Sequence, residues 1–382
     1  MPTESAAALE FDATLLPSGM RQRFWVKDGR ITFAPQADAE RTRSGGFVLA
    51  GMVDAHTHAD YPQGPAPEDR DGFVRRNLRE FTGVGVLLLR DMGASSTLLE
   101  DLPRHDDEPR VIPAGKAMVG FDNRCFPTTA EDQALSHALA QLRPGVQWLK
   151  IFVDFPDPSS EAEGKEPYFK GDNPLTYSPE LLQELVQAVH ARGGRVAAHV
   201  FSEAGARASV AAGADTLEHG WGVTEDLFDE MRAKNIAWVP LVAIAEPMQA
   251  LAKRDGRPDQ LEWIVESLQR LTRTLPAAVA AGVTLLTGSD WFPMIGVRDE
   301  VVALMRLGVP GNAALDAATD AARRYLGHRT LEEGSPADLL WYESDPRETL
   351  PPLPDLILLD GKEIPAVQPP PPIPRSGPHP PH

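Results

Sequence analysis

Four histidines and an aspartate lie at or near the ends of apolar segments, in positions where such side chains can bind metal ions. His56 and His58 are two residues apart, whereas His199, His219 and Asp290 each close a separate apolar segment. On a strand, residues i and i+2 point to the same face, so His56 and His58 can bind one ion together. Imidazole and carboxylate suit zinc, iron or another first-row divalent ion. The sequence therefore predicts a metalloenzyme.

Lys150 adds a second kind of chemistry because it lies inside the apolar segment 148–153, which is expected to be a buried strand. A buried, unpaired ammonium is costly, and burial can lower its pKa by about 3–5 units. A neutral amine can react with carbon dioxide, and the two oxygens of the resulting carbamate can bridge two metal ions. The alternative left open is an ion pair between Lys150 and Asp154.

The elements that position these residues alternate between short apolar strands and amphipathic helices from residue 51 to residue 329. Eight strands are predicted: Met52–His58, Gly85–Met92, Arg110–Ala114, Trp148–Val153, Arg195–Val200, Thr216–His219, Ala237–Val242 and Thr284–Asp290. A helix is expected from Ser178 to Ala191, where a serine cap precedes proline at the first helical position. This α/β pattern predicts a distorted (β/α)8 TIM barrel, a fold of about 250 residues whose active sites lie at the C-terminal ends of the strands.

The two chain ends differ from the central region. Residues 24–33 and 356–362 each look like two short strands joined by a turn, and residues 337–342 look like another strand. We therefore expect residues 1–50 and 330–364 to form a small β-sandwich around the barrel at 51–329. The tail at 365–382 is rich in proline and is expected to be disordered.

Several motifs together resemble the amidohydrolase superfamily, in particular its branch of metal-dependent dipeptidases (prolidase-like) and imidazolonepropionase-like enzymes. The resemblance covers nearly the whole chain except the proline-rich tail, and it is much more specific for the superfamily than for a substrate. The matching segments are residues 51–58, 90–93, 149–151, 196–199, 211–220, 288–290 and 334–340.

The resemblance implies a ligand set for two divalent metal ions, with zinc expected and iron or manganese as alternatives. One ion is held by His56, His58 and Asp290, and the other by His199 and His219. Lys150, as a carbamate formed with carbon dioxide, and a hydroxide would bridge the pair. Metal binding lowers the pKa of water to about 7, and Asp290 can carry the proton to the leaving amine. The expected reaction is hydrolysis of an amide or peptide bond, including a C-terminal or modified peptide bond.

Three alternatives remain open at this point. Deaminases of the superfamily place a glutamate close behind the fifth-strand histidine and lack the lysine, but Glu203 lies one place later than their spacing. Ser202 and Glu203 also fit the start of a helix. Hydrolysis of a cyclic amide or lactone is a further enzymatic alternative. A metal-binding protein without catalytic activity is the remaining class.

Substrate recognition is less well defined by the sequence. Residues 154–166 form an acidic stretch that departs from the dipeptidase pattern, either as a cover for the site or as a solvated loop. We expect Arg90 and Asp91 to form a structural turn after the second strand. Candidate substrate contacts near the expected catalytic face are Tyr168, Tyr177, Trp221, Trp291 and Arg298.

Composition limits the partners. The formal charge of −18 argues against nucleic acid or an anionic membrane as a partner and leaves a small molecule or a peptide. The single cysteine, Cys125, excludes an internal disulfide framework. No secretory signal and no apolar segment of about 20 residues is visible, so a cytoplasmic location is predicted. A homo-oligomer is compatible with the sequence but is not specified by it.

Overall fold

The computed structural model describes residues 7–60, 68–93, 98–120, 128–156 and 169–368. Tyr168, Cys125, most of the acidic stretch and the end of the proline-rich tail lie outside these described residues. The strands are β1 (Ala8–Leu15), β2 (Met20–Lys27), β3 (Arg30–Thr32), β4 (Ala39–Ala50), β5 (Met52–Thr57), β6 (Val86–Asp91), β7 (Arg110–Pro113), β8 (Met118–Val119), β9 (Trp148–Phe152), β10 (Arg195–Val200), β11 (Thr216–His219), β12 (Ala237–Val239), β13 (Leu339–Tyr342), β14 (Leu356–Leu359) and β15 (Lys362–Ile364).

The helices surround these strands and are mostly amphipathic. They are α1 (Arg70–Gly83), α2 (Leu98–Asp101), α3 (Glu131–Gln141), α4 (Pro179–Ala191), α5 (Glu203–Ala212), α6 (Phe228–Ala233), α7 (Ala245–Arg254), α8 (Pro258–Ala280), α9 (Val297–Arg306), α10 (Gly311–Ala318) and α11 (Asp320–Tyr325). The expected start of α4 is confirmed, because the Ser178 side chain accepts a hydrogen bond from the Leu181 amide. No helix within the described ranges is long and apolar enough to cross a membrane.

Both chain ends contribute to one seven-stranded sheet with the order β15-β14-β13-β4-β1-β2-β3. Strand β4 joins the two ends because it pairs in parallel with β1 and antiparallel with β13. Asp28 and Gly29 have φ angles of 49° and 74° in the turn between β2 and β3. Such angles suit the tight turns of β-hairpins. The terminal segments thus share a sheet as expected, whereas a two-layered sandwich stays a prediction.

The central region is an α/β arrangement of two parallel sheets, one with the order β5-β6-β7 and one with the order β12-β11-β10-β9-β8. Isolated bridges join Ala114 to Trp148 and Trp238 to Leu285. The Ala55 amide also donates to the Thr287 carbonyl oxygen at 2.8 Å. These contacts link the sheets, but the described strands do not form a closed barrel.

The expected eighth strand, Thr284–Asp290, is not a regular strand. The amides of Ser289 and Asp290 both donate to the His56 carbonyl oxygen, and Asp290 has a φ of 58°. This left-handed conformation bends the backbone over the end of β5. The prediction of a strand was wrong here because the segment ends in a turn that brings Asp290 to the histidines.

Two buried carboxylates hold the strand ends in place. Asp54 accepts hydrogen bonds from the Ser289 amide at 3.0 Å and the Ser289 hydroxyl at 2.5 Å. Asp154 accepts from the amides of Phe201 and Ser202 and from the Ser202 hydroxyl. Burial raises the pKa of Asp54 to about 7 and that of Asp154 to about 6. These contacts fix the ends of β5 and β10, where the candidate ligands lie.

Candidate metal centre

His56, His58 and Asp290 come together at the C-terminal end of β5. Their potential ligand atoms all lie within 4.8 Å of one another. The Nε2 atoms of both histidines are 3.5 Å from the same Asp290 oxygen, Oδ1. His56 is buried, whereas His58 and Asp290 remain partly exposed. Because the cluster combines two imidazoles and a carboxylate at this separation, it matches a ligand set for a first-row divalent ion.

His199 is the second-to-last residue of β10, and His219 is the last residue of the neighbouring strand β11. The ring centroids of His199 and His219 are 4.6 Å apart, and those of His56 and His219 are 5.4 Å apart. Nε2 of His199 and Nδ1 of His219 are buried and have no hydrogen-bond partner among the described residues. Burial lowers the pKa of both histidines well below the ordinary value. Neutral imidazoles with a nitrogen left without a partner fit a metal ion.

Lys150 lies beside His56 in this cluster. Its side chain is only 1% exposed, and Nζ is 3.3 Å from Nε2 of His56. Burial lowers the pKa of Lys150 to about 8. The alternative pairing with Asp154 is not what the described contacts show, since Asp154 accepts hydrogen bonds from residues 201 and 202. The six residues singled out in the sequence therefore converge on one site.

Asp290 is the partly exposed carboxylate of this cluster. Burial acts to raise its pKa, but the hydrogen bond with His56 and the proximity of His219 and His58 bring the pKa below the ordinary value. Its φ of 58° places it in a region that non-glycine residues rarely occupy. Such backbone outliers concentrate at functional sites.

Sequence reasoning missed two residues, Glu218 and Arg90, that hold His56 on the Nδ1 side of its ring. Nδ1 of His56 is 2.7 Å from Oε2 of Glu218, and Arg90 donates from Nη2 to the other Glu218 oxygen at 2.8 Å. Glu218 and Arg90 are fully buried. A carboxylate on one imidazole nitrogen orients the ring so that the other nitrogen faces the metal. Arg90 also donates to the Ala55 carbonyl oxygen at 2.7 Å.

The expected turn at Arg90 and Asp91 was wrong, because both residues belong to strand β6. The signal that could have revealed their environment is a charged pair within an otherwise apolar segment, since a buried arginine requires a partner. That partner, Glu218, is 128 positions away in the sequence.

Replacing Glu218 with glutamine is expected to weaken metal binding about 10- to 100-fold, because outer ligand partners have effects of this size. The neutral amide no longer fixes His56 by a charge-assisted hydrogen bond and leaves Arg90 without its buried counter-charge. Competition with a chelator measures the change. Glu203→Gln is the control, since Glu203 is exposed on α5 and pairs with Arg207. Equal affinity in both variants would contradict this role for Glu218.

Three of the residues predicted as substrate contacts are engaged with backbone carbonyl oxygens of the protein. Tyr177 is buried and donates from its hydroxyl to the Thr129 carbonyl oxygen, while Trp221 donates from Nε1 to the Pro240 carbonyl oxygen. Arg298 donates to the carbonyl oxygens of residues 350 and 351, so its donors are not directed at a substrate carboxylate. Trp291 is partly buried next to Asp290. Tyr168 lies outside the described residues.

Glu203 does not take the position of a deaminase glutamate. It is the first residue of α5, its side chain is more than half exposed, and Arg207 donates to it at 2.8 Å. Ser202 caps the helix by accepting from the Gly205 amide at 2.9 Å. The stretch after His199 is therefore a helix start, as its sequence predicted.

Comparisons with known proteins identify the family of this chain. The profile of the Amidohydrolase family matches residues 47–366. An uncharacterized protein of Mycobacterium tuberculosis is 34% identical over 371 residues, which cover 94% of this chain and 97% of the relative. Ochratoxinase of Aspergillus niger is 30% identical over 193 residues, or 47% of this chain and 39% of that protein.

Solved structures share the fold. A Xaa-Pro dipeptidase with methionine bound in its active site superposes with a TM-score of 0.77 at 19% identity, covering 94% of this chain and 99% of the other. The crystal structure of A. niger ochratoxinase gives a TM-score of 0.73 at 20% identity, with 94% and 96% of the chains covered. The expected superfamily and the expectation of a hydrolase are thereby confirmed. The chain belongs to the amidohydrolase family.

Proposed function

We propose that this chain is a metal-dependent hydrolase that cleaves an amide or peptide bond. The observation that carries the proposal is the convergence of four imidazoles, one carboxylate and one buried lysine at adjoining strand ends. Two of the imidazoles have buried nitrogens without a partner among the described residues. The names of the dipeptidase and of the other relatives favour a hydrolytic reaction and do not decide the substrate.

The ligand assignment follows the grouping of the side chains. His56, His58 and Asp290 would hold one divalent ion, and His199 and His219 a second, with zinc as the expected metal. When bound, the ions would lower the pKa of a water molecule to about 7 and would supply a positive charge that polarises the scissile carbonyl. A bond between the Lys150 nitrogen and the carbon of carbon dioxide, with loss of a proton, would give the bridging carbamate.

Asp290 would move the proton. It accepts a proton from the attacking water as the water oxygen bonds to the scissile carbonyl carbon. It then gives this proton to the nitrogen when the carbon–nitrogen bond breaks, so that the products are a carboxylic acid and an amine. A carboxylate held by neighbouring groups at hydrogen-bond distance is suited to this acid–base role.

The fold is part of the same proposal. The hydrogen bonds that link Ala55 to Thr287 and Trp238 to Thr284 and Leu286 support a distorted (β/α)8 barrel around the candidate ligands. In such a barrel the C-terminal ends of the strands form the catalytic face. The sheet built from both chain ends would be one layer of the expected sandwich.

The experiment is a panel of substrates offered to the zinc-loaded protein. It contains dipeptides with and without proline, N-acyl amino acids, a cyclic amide, a lactone and amino-substituted heterocycles. We expect release of an amine and a carboxylate from a linear amide or peptide. Ammonia release from a heterocycle would establish a deaminase, and turnover of only the lactone or cyclic amide would favour that alternative. No turnover by a metal-loaded protein would point to a binding protein.

A further inference from the structure

An aromatic surface covers the side of the site formed by His199 and His219. Phe201 stacks against His219 with ring centroids 4.4 Å apart and an interplanar angle of 23°. The ring centroid of Phe169 lies 5.4 Å from that of His199 and 5.1 Å from that of Phe201. Trp263 packs against Phe201 at 5.5 Å. We call Phe169, Phe201 and Trp263 the aromatic wall.

The wall is not simply interior packing. Phe201 is buried, but Phe169 and Trp263 keep part of their surface exposed. Both come from outside the strands, since Phe169 lies in the segment that leads from β9 to α4 and Trp263 lies on α8. Apolar rings with exposed area beside two candidate metal ligands are available to a bound molecule.

Helix α8 holds the wall in position. The Gln260 side chain donates to the Phe169 carbonyl oxygen at 3.2 Å. Gly171 lets the backbone pass close to the indole, because a Cβ at this position would lie 2.9 Å from Nε1 of Trp263. The backbone around Phe169 is therefore held against α8, which carries Trp263, and a preformed surface loses little entropy on binding.

Three cations of this region are paired within the protein. Arg90 is bound to Glu218, and Arg270 donates to the Trp221 carbonyl oxygen at 2.8 Å. Lys170, next to Phe169, lies 3.3 Å from Asp172. This side of the site thus offers ring surfaces, and these three cations are engaged with acceptors of the protein.

We infer that the substrate carries an aromatic or other bulky planar apolar group next to the scissile amide, and that this group packs on Phe169 and Trp263 beside His199. The inference rests on the proposed function and narrows its substrate class. Offset or edge-to-face packing on two rings provides affinity beyond area burial alone. Short aliphatic peptides lack a planar group and cannot gain this additional affinity.

The test uses four N-acyl amino acids that share one scissile bond: acetyl-alanine, benzoyl-alanine, acetyl-phenylalanine and benzoyl-phenylalanine. We expect at least one aromatic member to exceed acetyl-alanine in kcat/KM by about tenfold or more. Phe169→Leu and Trp263→Leu should each remove most of this preference. Phe33→Leu, in the sheet built from the chain ends, is the matched control.

A binding experiment distinguishes the inference of an aromatic substrate group from the proposed hydrolase function. Ketone analogues, in which a methylene replaces the amide nitrogen, cannot be hydrolysed and are titrated into the metal-loaded protein by calorimetry. If aromatic analogues bind through Phe169 and Trp263 but no amide is turned over, the aromatic binding surface is supported and the proposed hydrolase function is contradicted. Amide turnover with no aromatic preference in rate or binding would contradict the inference of an aromatic substrate group and leave the proposed hydrolase function intact. Aromatic preference that persists in both leucine variants would also overturn the inference.

Discussion

Asparagine in place of Asp290 is expected to lower kcat/KM for amide hydrolysis about a thousandfold while part of the bound metal remains. The amide has the shape of the carboxylate and keeps an oxygen that can face the ion, but it cannot take a proton from water. The remaining ligands His56 and His58 still provide two imidazoles at the end of β5. Activity should therefore fall much further than metal content.

Steady-state kinetics with the best amide of the panel and elemental analysis of the same preparation measure the two effects. The control is Asp229→Asn, because the Asp229 side chain is 93% exposed and pairs with Arg232 on the helix surface. If Asp290→Asn hydrolysed its substrate at the wild-type rate, proton transfer through this carboxylate would be excluded. Both proteins are reloaded with zinc before the assay, so that activities are compared at equal metal content.

The strands were predictable because their apolar segments are short and bounded by polar residues. The ranges of β10 and β11 agree with the sequence prediction, and those of β5, β6 and β9 differ by one residue at one or both ends. The convergence of His56, His199 and His219 also followed from the sequence, since parallel strands bring their C-terminal ends to one edge. Position along a strand is thus a strong guide to which residues meet.

Side-chain direction was harder to predict. In the register of β10 and β11, His199 pairs with Glu218 and Val200 pairs with His219. Regular alternation therefore directs Glu218, not His219, to the face that His199 occupies. His219 joins the site because its φ of 63° departs from the strand conformation at the last residue. A pattern with period two cannot reveal such a departure.

The partners of buried charged residues also could not be predicted from the sequence. Arg90 stacks over the Trp148 ring at 4.1 Å while it binds Glu218, so three strands that are far apart in sequence meet behind His56. Their pairing depends on register and packing, which are set by tertiary contacts. For the same reason Trp221 was placed near a loop surface by sequence, whereas its ring is fully buried behind Phe201.

Removing the amine of Lys150 is expected to change the metal stoichiometry itself. The Lys150→Ala protein should hold about one divalent ion where the wild type holds about two, and amide hydrolysis should fall about a thousandfold. Nζ of Lys150 lies 3.3 Å from Nε2 of His56, and opposite Ala197 in the register of β9 and β10 Lys150 shares a face with His199. Without it, two cations would lack the anionic group proposed between them.

Bicarbonate dependence makes this test specific for the carbamate. Metal-free wild-type protein is loaded with zinc in buffer depleted of carbon dioxide and in buffer with bicarbonate, and metal per chain is measured by elemental analysis. We expect bicarbonate to increase uptake in the wild type and in Lys27→Ala, whose lysine pairs with Asp38 at 3.1 Å in the terminal sheet. Lys150→Ala should show no response. One ion per chain in every protein, regardless of bicarbonate, would exclude Lys150 as a metal ligand. Deaminase or cyclic-amide chemistry would then become the leading hypothesis.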